Sequence, residues 1–327
     1  MKKFSRLLTN LVAADPRVYV VDNDLSRSSG TAVIAESHPE RFVNVGVAEQ
    51  NSMGIAAGLA LMGWIPIVHT FATFGSMRAC EQIRTAIAYQ NLKVIVCLSR
   101  GGFAAASAGP THHGMEDLAI MRAIPNMRVV APRNFSDLTE IIGQVLQQEG
   151  PAYIRVPPEA VSETELGIQL GRGVTLRPGH DVTIAFTGAL SEAVETIVDA
   201  LESEGISVRL LYVHTLKPLD VDLLIRAAEE TAGIISIEEH SVIGGLGSAI
   251  AEALGEVRPT RVLRVGIEDT FCYEAGTHAE MVEKYCLSLT RVRSRVATLM
   301  SESQPPAPGP SGPEVEARGD GGSRHPG

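Results

Sequence analysis

Positive charge is in short supply in this chain. Against 28 Lys and Arg stand 38 Asp and Glu, a formal net charge of −10. That balance argues against nucleic acid or an anionic membrane as the main partner. Long apolar runs are also missing. No stretch approaches the roughly 18 residues a membrane span needs, so no membrane association is expected. The opening "MKKFSRLLTNLVAADP" has too short and too interrupted an apolar part for a secretory signal and reads as an amphipathic helix. Cysteine is scarce: Cys80, Cys97, Cys272 and Cys286 show no CxxC spacing. Set among apolar neighbours, they read as reduced core thiols of a cytoplasmic protein. Aromatic residues make up only 5% of the chain, so two of them close together attract notice.

What is present is an alternation. Short Val- and Ile-rich runs at 18–22, 42–45, 65–69, 94–98, 128–131 and 152–156 are separated by helical spacing at 48–62, 76–90, 116–123 and 135–149. This is the pattern of a parallel sheet covered by helices. A second series follows, with strands expected at 182–187, 206–213, 233–238 and 261–266. Its helices are expected at 190–204, 220–231, 245–255 and 277–285. The fold class is therefore α/β with two domains, the larger at 1–160 and a smaller one at 181–300. Pro, Gly and charge mark a linker at 161–180. The stretch 301–327 has one Val as its only large aliphatic residue and no aromatic, so it reads as a disordered tail. The "GDGG" within it lacks a preceding strand and a following helix, so it is not read as a phosphate loop.

Three stretches invite chemistry. In "NVGVAEQN" a strand turns at Gly46 into a small, apolar helix, and Glu49 sits at that corner. An acid in a first turn suits the helix dipole, so capping is one reading. A buried carboxylate with a chemical partner is the other. In "HTFATF" Phe71 and Phe74 form either a core pair or a flat slot for an aromatic ring. In "SRGGFAAASAGPTHHGMEDLA" a loop of small residues lets backbone approach a ligand and then presents His112 and His113. No carboxylate or Cys shares a metal-ligand spacing with them, so one imidazole acting as acid, base or donor is the better reading. The "GGLGSAI" at 244–250 looks like a glycine fingerprint but lacks its third glycine and its acidic residue, and it reads as a tight strand-to-helix turn.

In fixed order, "GVAEQN", "TFATF", "GPTHHGMEDLAIMRAIPN", "HTLKPLD" and "EEHSVIGGLGSA" resemble the C-terminal half of transketolase over roughly residues 5 to 295. The resemblance implies a pyrimidine-binding domain followed by a transketolase C-terminal domain, and thiamine diphosphate as cofactor. It implies that Glu49 shares a proton with N1′ of the aminopyrimidine, favouring the tautomer that deprotonates the thiazolium C2. It further implies that Phe71 and Phe74 pack on the pyrimidine and that His112 reaches the reacting carbonyl. Ser28, His69, Arg100 and His113 are the candidate substrate contacts.

The family's GDG-and-Asn motif, which holds Mg²⁺ (or Ca²⁺) and the diphosphate, has no counterpart in a folded region. The expectation is therefore a split enzyme. An N-terminal partner subunit holds the metal, in an α2β2 assembly, and this chain itself holds none. Ala108 stands where sugar-phosphate enzymes carry an acid, Pro158 where a phosphate Arg is usual, and Arg100 where a phosphate-binding His is usual. These departures point to a specialised sugar or a 2-oxo acid donor, with ketol transfer as the reaction. The alternative is a 2-oxo acid decarboxylase or dehydrogenase-type beta subunit that passes an acyl or glycolyl group to a carrier.

Overall fold

Runs of β-branched residues too short for helices pair side by side, and the connections between them are helices. The structure, a computed structural model, describes residues 2–302, so nearly all of the expected tail lies outside the described residues. The strands, in chain order, are β1 (Val18–Asp22), β2 (Phe42–Asn44), β3 (Ile65–Phe71), β4 (Ile95–Ser99), β5 (Arg128–Val130) and β6 (Ala152–Arg155). They continue as β7 (Val174–Arg177), β8 (Val182–Phe186), β9 (Val208–Tyr212), β10 (Thr215–Lys217), β11 (Ile234–Ser241) and β12 (Val262–Ile267).

The first sheet has the order β10-β5-β6-β4-β3-β1-β2, and the second β12-β11-β8-β9-β7. Strands β1 to β6 are mutually parallel, with Val20 opposite both Phe42 and Ile67. The central β3 and β4 are buried on both faces, which explains why they read as continuous apolar runs. Strand progression reverses between β1 and β3. In open α/β sheets such a point, outside the carboxyl ends of the strands, is where ligands bind.

Four segments depart from the expected pattern. Strand β10, inside "HTLKPLD", leaves the second domain and pairs antiparallel with β5 of the first sheet. Lys217 Nζ fastens it there, donating to the carbonyls of Arg122 and Ile124 at 2.9 and 2.7 Å. Strand β7 lies in the segment read as linker and pairs antiparallel with β9. The helix expected at 76–90 is wound as two π segments, Phe74–Arg78 and Ile83–Ala88, around a short α turn. A final helix, Leu289–Glu302, covers β8, β11 and β12 where no element was expected.

The helix that follows β2, Glu49–Leu61, buries Met53, Ala56 and Ala57 against Val21, Val68 and Val96. Its small residues let it lie close to the sheet. That fixes its first residue, Glu49, at the carboxyl edge of the strands.

Candidate active site

The corner that carries Glu49 is built by Asn44. Its side-chain oxygen accepts from the backbone N–H of Gly46 at 2.9 Å and of Asp24 at 3.0 Å. Gly46 has φ +75°, a left-handed value that glycine adopts without strain. Ala48 then opens the helix with no side-chain cap. Glu49 is 2% exposed, yet its carboxylate does not cap its own helix. Instead Oε2 accepts from Arg78 Nη1 at 2.8 Å, and among the described residues no hydrogen bond reaches Oε1. One carboxylate oxygen is thus held within the chain and the other is left for a further donor.

Beside it are the rings. Phe71 and Phe74 stack with centroids 6.1 Å apart and 28° between planes. His112 stands edge-on to both, at 6.3 and 5.2 Å. Its Nδ1 lies 3.0 Å from the Thr111 hydroxyl, which sets the ring's orientation. Two guanidiniums flank the pair: Arg78 lies 4.7 Å from the Phe74 centroid and Arg100 4.9 Å from that of Phe71. Both are cation–π distances. Arg100 has φ +59°, a strained value for a non-glycine residue at the end of β4, and such strain gathers at functional sites. The π segment Phe74–Arg78 widens the backbone here and carries both Phe74 and Arg78.

The structure thus brings together Glu49, Phe71, Phe74, Arg100 and His112. His113 turns away from them. It is buried, its ring edge-on to Phe103 at 5.3 Å, and burial pushes its imidazole below the usual range. It lines a cavity of about 590 Å³ between its loop and the second domain, together with Thr73, Met115, Glu116, Phe271 and Cys272. Glu49, Phe71, Phe74 and His112 do not line that cavity.

His69 corrects an expectation. It is fully buried, its ring 4.7 Å from that of Phe4 on the N-terminal helix, with Nδ1 3.0 Å from the Cys97 carbonyl. Burial lowers its pKa to about 4. It packs in the core and does not line the slot. Ser28 is exposed in the short helix after β1, and its hydroxyl donates to the Leu25 carbonyl at 3.0 Å.

Sequence reasoning missed Arg78, whose four-residue spacing from Phe74 in a helical run was the available signal. It also left Arg155 without a partner. That side chain is buried and doubly bonded to Asp117, whose carboxyl it helps to hold below the usual range against the opposing effect of burial. Gly245 and Gly247 have a plain explanation. The helix Leu246–Val257 directs the N–H groups of Leu246 and Gly247 at Glu238, at 2.6 and 2.9 Å. A Cβ on Gly245 would strike the same carboxylate. The anion site at this helix start is filled from within the chain.

The parallel sheet, with a buried carboxylate beside stacked rings at its strand ends, makes this an α/β protein with a candidate site at the switch point of its first sheet. The chain belongs to the transketolase family. Residues 1–163 match the transketolase pyrimidine-binding domain, and residues 171–292 match the transketolase C-terminal domain. It is 39% identical over 289 residues to the 6-deoxy-6-sulfo-D-fructose transketolase subunit SqwH of Clostridium sp. (strain MSTE9), covering 88% of this chain and 89% of that protein. It is 35% identical to a putative transketolase C-terminal section of Methanocaldococcus jannaschii, covering 92% of this chain and 96% of the relative. Against 1-deoxy-D-xylulose-5-phosphate synthase of Heliobacterium modesticaldum it is 35% identical but spans 49% of that protein.

A solved structure described as a split gene transketolase, inactive beta4 tetramer, superposes with a TM-score of 0.82. It is 39% identical, with 92% of this chain and 97% of that chain covered. The family is one of thiamine-diphosphate-dependent transferases. The residues present fit the cofactor's aminopyrimidine: an open buried carboxylate oxygen for a ring nitrogen, and two stacked aromatic faces. Among the described residues no group of three or more His, Cys, Asp or Glu is placed to hold a metal ion.

Proposed function

We propose that this chain is the C-terminal subunit of a split transketolase, moving a two-carbon ketol unit from a ketose to an aldehyde. The observation that carries the reading is Glu49, buried with one open oxygen beside Phe71, Phe74 and His112. When bound, thiamine diphosphate supplies the nucleophilic carbon that takes up the two-carbon unit. Glu49 holds a proton in common with the pyrimidine ring at its open oxygen. Phe71 and Phe74 orient the ring by stacking and keep water from one side of it. His112, fixed by Thr111, donates to or accepts from the reacting oxygen. Arg100 offers a planar fork to an anionic substituent of the sugar, whether phosphate, sulfonate or carboxylate.

A separate N-terminal subunit supplies the cation and the diphosphate contacts, two copies of each chain forming the assembly. That one relative is named a transketolase subunit and another a putative transketolase C-terminal section, both of matching length, while the synthase is about twice as long, supports this reading. The first domain is assigned to residues 1–160 and the second to 181–300, with β7 added to the second sheet. Four free thiols favour a reducing compartment, the cytoplasm.

The test mixes this chain with its N-terminal partner, thiamine diphosphate, Mg²⁺, a panel of ketoses that includes 6-deoxy-6-sulfo-D-fructose, and an aldehyde acceptor. Ketol transfer without release of CO2 supports the reading. Release of CO2 from a 2-oxo acid with no ketol transfer overturns it.

A further inference from the structure

The motif "EEHS" remains to be accounted for beyond Glu238. Its next three residues, at the end of β11, reach from the second domain to the first. Glu239 is 8% exposed, and its carboxylate accepts from the backbone N–H of Phe103. His240 Nε2 accepts from the N–H of Ala119 at 3.2 Å. The N–H of Ser241 donates to the Met115 carbonyl at 2.9 Å. Arg155 Nη1 closes the contact, donating to the Glu239 carbonyl at 2.9 Å.

Phe103 and Met115 bracket the loop that carries His112, and Arg100 lies just before it. The loop is closed at its base by a pair of hydrogen bonds between Gly102 and Gly114, at 2.7 and 3.1 Å. Between 104 and 109 it holds only Ala, Ser and Gly. Such a segment buries little apolar surface of its own, so its order depends on the few bonds at its ends. Phe103 is its anchor: fully buried, packed on His113 at 5.3 Å and near Tyr285 of the second domain at 6.1 Å. A Cβ on Gly102 would collide with the Glu239 carboxylate, so the glycine admits that carboxylate. His278 Nε2 in turn lies 3.1 and 3.0 Å from the two oxygens of Glu239 and fixes its rotamer.

We infer that Glu239 is a positioning residue for ketol transfer. From the second domain it holds the Gly102–Phe103 base of the loop, so that His112 and Arg100 stay at the Phe71/Phe74 slot. The inference rests on the function proposed above for those residues. A carboxylate accepting from a backbone N–H is a strong, charge-assisted hold, and its removal leaves a buried N–H unpaired. Displacing a reacting group by about 1 Å costs on the order of 100-fold in rate.

The experiment uses the assembled two-chain complex with the ketose donor and aldehyde acceptor that support transfer in the assay above. It compares wild type, Glu239→Ala, Glu239→Gln and His278→Ala by steady-state kinetics and by amide hydrogen exchange over residues 101–116. Glu239→Ala is expected to accelerate exchange at Phe103 and Gly114 and to lower kcat/KM by roughly 10- to 100-fold, through kcat as His112 shifts and through KM as Arg100 shifts. Glu239→Gln keeps the acceptor and is expected to restore exchange and kcat/KM to within about fivefold of wild type, the loss of a half-exposed ion pair being small. Wild-type exchange and kcat/KM in Glu239→Ala would overturn the inference, as would a Glu239→Gln variant as impaired as Glu239→Ala. Should Glu239→Ala fail to fold, the other two variants decide: His278→Ala, which frees the Glu239 rotamer, must raise Phe103 exchange and lower kcat/KM together, while Glu239→Gln keeps both near wild type; wild-type exchange and kcat/KM in His278→Ala, or an impaired Glu239→Gln, overturns it. If the wild-type complex shows no ketol transfer, the functional reading has failed, while exchange still reports on the Glu239 hold.

Discussion

Arg78 Nη1 donates to Glu49 Oε2 at 2.8 Å while the same guanidinium lies 4.7 Å from the centre of the Phe74 ring. One cation thus ties the buried carboxylate to the aromatic slot through Oε2. The pair spans 29 residues and joins the helix start after β2 to the π segment after β3.

If Arg78 orients Glu49, then Arg78→Ala frees the carboxylate to rotate within its pocket. Calorimetric titration of thiamine diphosphate into the assembled complex should show affinity reduced about 5- to 10-fold, a loss typical of one charge-assisted contact. The thermal midpoint should hardly move, since Arg78 is half exposed. An unchanged affinity would remove Arg78 from the account.

Glu49→Gln preserves shape and removes the shared proton. Turnover of the complex should fall by about 100- to 10,000-fold, the range of a positioned acid or base, with the fold intact by circular dichroism. Turnover within a few-fold of wild type would mean that Glu49 only shapes the corner.

His69 gives a test of its removal from the site. Its pKa is lowered to about 4 by burial, from an ordinary value of 6.5. Between those values the unfolded chain binds the proton and the folded chain does not, so this group makes stability fall as pH drops from 6.5 toward 4. His69→Leu should flatten that acid arm in a melting-temperature series while leaving kcat/KM at neutral pH as in wild type. A large loss of kcat/KM would return His69 to the site.

His278 has the opposite sign. Its pKa is raised above 6.5 by its bond to Glu239. Its contribution is therefore fully present below pH 6.5 and fades as pH rises through the folded value. The difference in melting temperature between wild type and His278→Ala should be largest in mild acid and should shrink in mild alkali. A difference that grew with pH would contradict the pairing.

How much of this was legible follows from sequence distance. The central strands announced themselves because burial on both faces demands unbroken Val and Ile. The corner at Gly46 and the small-residue loop before His112 were equally visible, because left-handed turns and close backbone approach call for glycine. His69 misled because one strand carries both it and Phe71, and only the packing of Phe4 shows that its ring belongs to the core. The hold of Glu239 on Phe103 spans 136 residues and the bond between Arg155 and Asp117 spans 38. No local pattern encodes such pairings. Strand β10 was hidden for the same reason, since its partner is the edge of the other domain's sheet. An exposed Arg in a helical run reads as a solvated side chain, and Arg78 becomes meaningful only when folding sets Phe74 and Glu49 beside it.

The central claim is that this chain carries half of a cofactor site. It is tested most directly by titrating thiamine diphosphate with Mg²⁺ into this chain alone, into its N-terminal partner alone, and into the two together. The account predicts tight binding and ketol transfer in the mixture only, both sensitive to Glu49→Gln. Tight binding and turnover by this chain without a partner would contradict it.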